Sequence, residues 1–189
     1  MFVERFRHFL NLWTVYNDML TKHYVPTVGT DAIDEPLYGS YFQPSISVML
    51  VLYAYFYSLI DDRDNGLNAF RIWREHFPEE EPAIAAIEAQ IKPMANDLRL
   101  YRNRLGFHGS RTRAHEASGF DLFANTTGTQ AWNAMRNFKA LSVIFLARDM
   151  AIRQGNEAEV ENYRGWIDLI ADRARQATAA LATQATAGN

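Results

Sequence analysis

The chain has 189 residues, enough to bury one core, with 48% hydrophobic and 22% charged side chains, the balance of an ordinary globular domain. It has no cysteine, which excludes disulfides, thiolate metal sites and cysteine nucleophiles and leads us to expect a reducing, cytoplasmic setting. Its formal charge of −3 argues against general coating of nucleic acid, so any contact with a polyanion must be local.

Residues 2–22 carry Phe2, Phe6, Phe9, Leu10, Trp13, Tyr16 and Leu20 at spacings of three and four, which predicts an amphipathic helix. Charges interrupt its apolar residues and no small-residue cleavage site follows, so it does not read as a signal peptide. Residues 25–42 contain Pro26, Gly29, Pro36 and Gly39 without helical period and are expected to form a long connector. Pro44 then suits the first turn of a second helix. The run Ile46–Ile60 is nearly all apolar, but its 15 residues fall short of the roughly 20 that a membrane helix needs. It reads as the central helix of a bundle, with the hydroxyls of Tyr53, Tyr55 and Tyr57 at wetter edges and Asp61-Asp62 as a solvated end.

Residues 67–77 predict a short helix with Leu67, Phe70, Trp73 and Phe77 on one face, stopped by Pro78. Glu79-Glu80-Glu81 then suit the first turn of the next helix, where negative charge meets the dipole favourably. That helix is expected from Pro82 to about Leu105, with Ile84, Ile87, Ile91, Met94, Leu98, Tyr101 and Leu105 as its apolar stripe. Pro93 should kink or split it. Residues 109–128 are polar and small and read as a second long loop. Residues 129–154 predict a helix with Trp132, Met135, Phe138, Leu141, Phe145, Leu146 and Met150 inward and Arg136, Lys139 and Arg148 exposed. A tight turn at Gly155-Asn156 leads to a last helix, 157–176, with Val160, Tyr163, Ile167 and Ile170 inward. The expected architecture is an all-α, single-domain bundle of five to six helices. Its parts are an N-terminal helix (1–24), the main helical domain (25–176) and a flexible tail (177–189).

One stretch stands apart. Residues 99–115, RLYRNRLGFHGSRTRAH, hold Arg99, Arg102, Arg104, Arg111 and Arg113, with His108 and His115 and no acid. Such a cationic island in an acidic chain points to anion binding. Within it lies the chemistry of RNA cleavage without metal. A histidine titrates near neutrality and can take the proton of a 2′-hydroxyl or donate one to the leaving oxygen. An arginine fork can hold the phosphate as charge develops, and an amide such as Asn103 can orient either group. In an unbroken helix Arg104 and His108 share a face and Arg102 lies well around it. Gly106 can break the helix and swing His108 toward Arg102.

An arginine, a polar neighbour and a histidine a few residues on, in an all-helical domain of this size, resembles the HEPN superfamily. RNRLGFHG is similar to the Arg-Asn-Lys/Arg…His variants of abortive-infection and toxin type. The resemblance covers the motif and the helical layout of residues 40–175. It implies a metal-independent endoribonuclease site in which Arg102 is the motif arginine, Asn103 the polar residue and His108 the histidine. It further implies RNA as substrate, no metal or other cofactor, and a homodimer with two motifs facing across a cleft. Arg104, Arg111 and Arg113 would flank that cleft as phosphate contacts. A toxin–antitoxin or phage-defence role, with an antitoxin partner, would follow. Two features depart from the pattern: five residues separate Arg102 from His108 where four is commoner, and Ser110 stands where some toxin members carry a modified tyrosine. Two other readings stay open. One is a non-catalytic module of the same fold that binds RNA or a nucleotide. The other is a helical scaffold whose arginines pair with acids of a partner.

Overall fold

The computed structural model describes residues 2–19, 48–49, 51–61, 68–96, 98–99 and 128–187. Every regular element among them is helical, as the periodicity predicts, and no strand occurs. The helices are α1 (Phe2–Met19), α2 (51–60), α3 (Ala69–His76), α4 (Glu81–Ile91), α5 (Gly128–Arg153) and α6 (Glu157–Ala187). No helix among the described residues is long and apolar enough to cross a membrane. By its contacts the chain divides into two compact units, Met1–Asn68 with Asp97–Gly119, and Ala69–Asn96 with Phe120–Asn189.

In the first unit α1 buries Phe6, Phe9 and Trp13, the i, i+3, i+7 positions of the expected stripe, while Phe2, Leu10 and Tyr16 are half-buried at its margins. The Phe9 ring meets Phe56 of α2 at 5.9 Å, and the Tyr16 hydroxyl donates to the sulfur of Met49 at 3.3 Å. Leu52, Phe56 and Leu59 are fully buried. The expectation for the tyrosines and for Asp61 is corrected here. Tyr53 and Tyr57 are buried, and so is Asp61, which receives a long hydrogen bond of 3.4 Å from the Tyr57 hydroxyl. A buried carboxylate needs such donors, so one turn of helix supplies one from within. Burial, with Tyr16 nearby, pushes the Tyr53 phenol above its ordinary range. At the end of α2 the buried Asn68 amide donates to the carbonyl of Ile60 at 2.9 Å, satisfying an acceptor the helix leaves open.

The second unit packs α4 and α5 on α6, and α4 on α5. Its centre is a run of rings. Trp73 lies 5.0 Å from Phe138 and 5.3 Å from Phe145, and Phe77 stacks on Phe145 at 4.7 Å. Of the predicted stripe, Ile84, Ile87, Ile91 and Met94 are buried, as is Leu98, which the contacts assign to the first unit, and Tyr101 and Leu105 lie outside the described residues. Pro93 splits the helix as expected, because it cannot donate its amide. The backbone tightens into a 3-10 turn at Lys92–Met94 and is helical again at 95–96 and 98–99. Ile167, Ile170, Ala171 and Ala174 form the inner face of α6, and the two alanines let it approach its neighbours closely.

The α5–α6 connection follows from two residues. Gly155 sits at φ +69°, a conformation that costs a side chain about 1–2 kcal/mol. Its amide donates to the Ile152 carbonyl at 3.0 Å, and the Asn156 amide to Ala151 at 3.0 Å, closing the end of α5. Asn156 then caps α6 by accepting the Glu159 amide at 3.2 Å. The helix that follows runs to Ala187, eleven residues beyond the point where the periodicity ends. Residues 177–187 are rich in alanine, the strongest helix former, so propensity continues what burial began.

Candidate functional site

The residues that the sequence singles out for chemistry, Arg102, Asn103 and His108, lie outside the described residues, as do Arg104, Arg111 and Arg113. So do the expected loop at 25–42, all but the last residue of the loop expected at 109–128, and His23 and His115, while Gly128 opens α5. The described chain reaches the island at its first residue: Leu98 is buried and Arg99 is helical and half-buried. Pro93 and its 3-10 turn therefore stand between α4 and the arginines along the chain.

The charged groups that the structure brings together lie elsewhere, in the second unit. Along α5 the buried positions are Ala131, Ala134, Met135, Phe138, Leu141, Ser142, Phe145, Arg148 and Ala151, and Arg148 continues the stripe three residues after Phe145. The expectation that Arg148 is exposed is thus overturned: it is 4% exposed. Leu146 and Met150, expected inward, are exposed, and Trp132 is half-buried. Arg136 is exposed as expected, while Lys139 is half-buried. Burial lowers the proton affinity of the Lys139 amine, and Arg136 lowers it further.

A guanidinium on a core stripe must be compensated, since stripping it of water costs several kcal/mol, roughly, before any partner is counted. Two carboxylates supply that partner. Arg148 Nη2 lies 2.9 Å from Glu79 Oε1, and Nη1 lies 2.9 Å from Glu80 Oε1. The guanidinium carbon also sits 5.6 Å from the centre of the Phe77 ring. Among the described residues Arg148 Nε has no hydrogen-bond acceptor, and the Nη1–Glu80 approach lacks the angle of one. Glu80 is buried too. Burial raises the affinity of its carboxyl for a proton, Arg148 and Arg164 oppose that, and Glu79 and Asp168 add to it.

The third glutamate of the run has its own arginine. Arg74 of α3 donates from Nε to Glu81 Oε2 at 2.7 Å and from Nη2 to Glu81 Oε1 at 3.1 Å, and Nη2 also reaches Glu88 Oε2 at 2.6 Å. These bonds, Glu81 first, hold Arg74 above its already high range. The expected first turn at Glu79-Glu80-Glu81 is corrected in part: Glu79 and Glu80 lie in a 3-10 turn, Pro78–Glu80, and only Glu81 stands in the first turn of α4. The acids do more than face a dipole, because each is bound to an arginine from another helix. The sequence reading missed this. The available signal was the position of Arg148, seven residues beyond Leu141 on the same face.

A cleft of about 260 Å³ opens on the other side of these glutamates, between Glu79, Glu80, Pro82 and Ala83 and the α6 residues Arg164, Asp168, Ala171 and Arg175. Its arginines are paired along α6, Arg164 with Glu161 at 3.2 Å and Arg175 with Asp172 at 2.6 Å. Among the described residues Arg148 is held by two carboxylates and Arg164 and Arg175 each meet an acid of their own helix, so this region ties helices together. Among the described residues no three His, Asp or Glu side chains are grouped so as to hold a metal ion. The two described histidines make local contacts: His8 lies beside the Tyr55 ring at 5.9 Å, and His76 Nδ1 is 2.9 Å from the Ile72 carbonyl oxygen.

No protein-family model matches this sequence, and neither a curated protein nor a solved structure matches it.

Proposed function

We propose that the chain is a HEPN-like, metal-independent endoribonuclease of a toxin–antitoxin or phage-defence system, acting in the cytoplasm, with Arg102, Asn103 and His108 as its catalytic residues. The observation that carries this reading is the segment 99–115, five arginines and two histidines without an acid, in a chain of net charge −3. The all-helical architecture of the described residues supports it.

In this reading His108 accepts the proton of a ribose 2′-hydroxyl as its oxygen attacks the adjacent phosphorus. The bond to the 5′-oxygen breaks, that oxygen takes up a proton, and the products are a 2′,3′-cyclic phosphate and a 5′-hydroxyl. Arg102 bears on the non-bridging oxygens where charge grows, and Asn103 orients the pair. Arg104, Arg111 and Arg113 hold flanking phosphates without reading sequence. A homodimer would place two such motifs across one cleft. No metal or other cofactor enters this chemistry. A non-catalytic RNA- or nucleotide-binding module is the second reading, and the five-residue spacing between Arg102 and His108 is the observation that favours it. Cleavage of RNA in excess EDTA by the parent and by His108→Ala separates the two.

A further inference from the structure

We draw no further inference here: the strongest candidate, the outward face of α5 where Val143, Leu146 and Met150 stand exposed at successive turns, carries nothing because no feature of the structure shows what covers it.

Discussion

Arg148 of α5 and Glu80, the residue before α4, form an ion pair of 2.9 Å in which both side chains are nine-tenths buried or more. The pair spans two helices that the chain separates by almost seventy residues, roughly, so it acts on how they are fastened rather than on either helix alone. Arg148→Met keeps an unbranched apolar stem but removes the guanidinium and its charge, leaving Glu80 buried without its cation. The expected loss is about 3–5 kcal/mol of unfolding free energy. Adding Glu80→Gln should recover part of that loss, because the orphaned charge goes with it. Urea unfolding of the three proteins checks this. A double variant no more stable than Arg148→Met would mean that Arg148 acts through its packing on Phe77 alone.

The same pair sets a pH dependence with a definite sign. Burial raises the Glu80 carboxyl above its ordinary value of 4.5, so the folded chain binds that proton more tightly than the unfolded chain does. The stability this group contributes is fully present below pH 4.5 and is lost as pH rises through the raised value. Glu80→Gln cannot titrate there. Measured by urea unfolding across the acid range and up to neutrality, the stability of the parent relative to Glu80→Gln should fall as pH rises. A relative stability that climbs with pH would show a carboxylate stabilised by Arg148 beyond the cost of its burial.

The shifted core stripe of α5 makes a plainer prediction. Phe145→Ala removes a ring that is 2% exposed and touches Trp73 and Phe77, and should cost about 3–5 kcal/mol. Met150→Ala, at a position 59% exposed, should change stability by no more than about 0.5 kcal/mol. Equal losses from the two would return Met150 to the core, where the sequence pattern alone had placed it.

That contrast shows where residue pattern informs and where it fails. Along α4 and the turn that follows it, Ile84, Ile87, Ile91, Met94 and Leu98 are large apolar residues at helical spacing, so period and residue type agree and that stripe is legible, while Gln90, buried beside it, is not. Pro93 is legible for the same reason, since its missing amide acts wherever it stands. Along α5 the two signals conflict. Residue type assigns Arg148 to solvent and Leu146 to the core, and the structure does the reverse. What decides the matter is the Glu79–Glu80 pair, a partner remote in sequence that no local pattern reveals. Asp61 follows the same logic on a smaller scale: Tyr57, one turn before it, makes its burial tolerable. The proposed site rests on residue types and spacing in the sequence alone, since Arg102, Asn103 and His108 lie outside the described residues.

Two glycines near the start of α6 should respond in opposite directions. Gly165 lies inside the helix, and a Cβ built there meets nothing within 4 Å. Gly165→Ala should therefore stabilise the chain by about 0.5–1 kcal/mol, by removing backbone freedom from the unfolded state. Gly155 also has open space around it, but it holds φ +69°. Gly155→Ala should cost about 1–2 kcal/mol for backbone reasons alone. Thermal melts of the two variants beside the parent are sufficient. A destabilised Gly165→Ala would point to a contact that helix α6 makes on that face.

The measurement that bears most directly on the proposed activity is cleavage of total RNA by the purified full chain in excess EDTA, beside His108→Ala and Arg102→Ala. Circular dichroism should show all three proteins equally helical. The parent should cut RNA to products with 2′,3′-cyclic phosphate and 5′-hydroxyl ends, and each variant should lose at least about a hundredfold in rate, the scale of one positioned acid–base group or charge stabiliser. A His108→Ala protein that cuts at the parental rate, or a parent that binds RNA and leaves it whole, would contradict the nuclease reading.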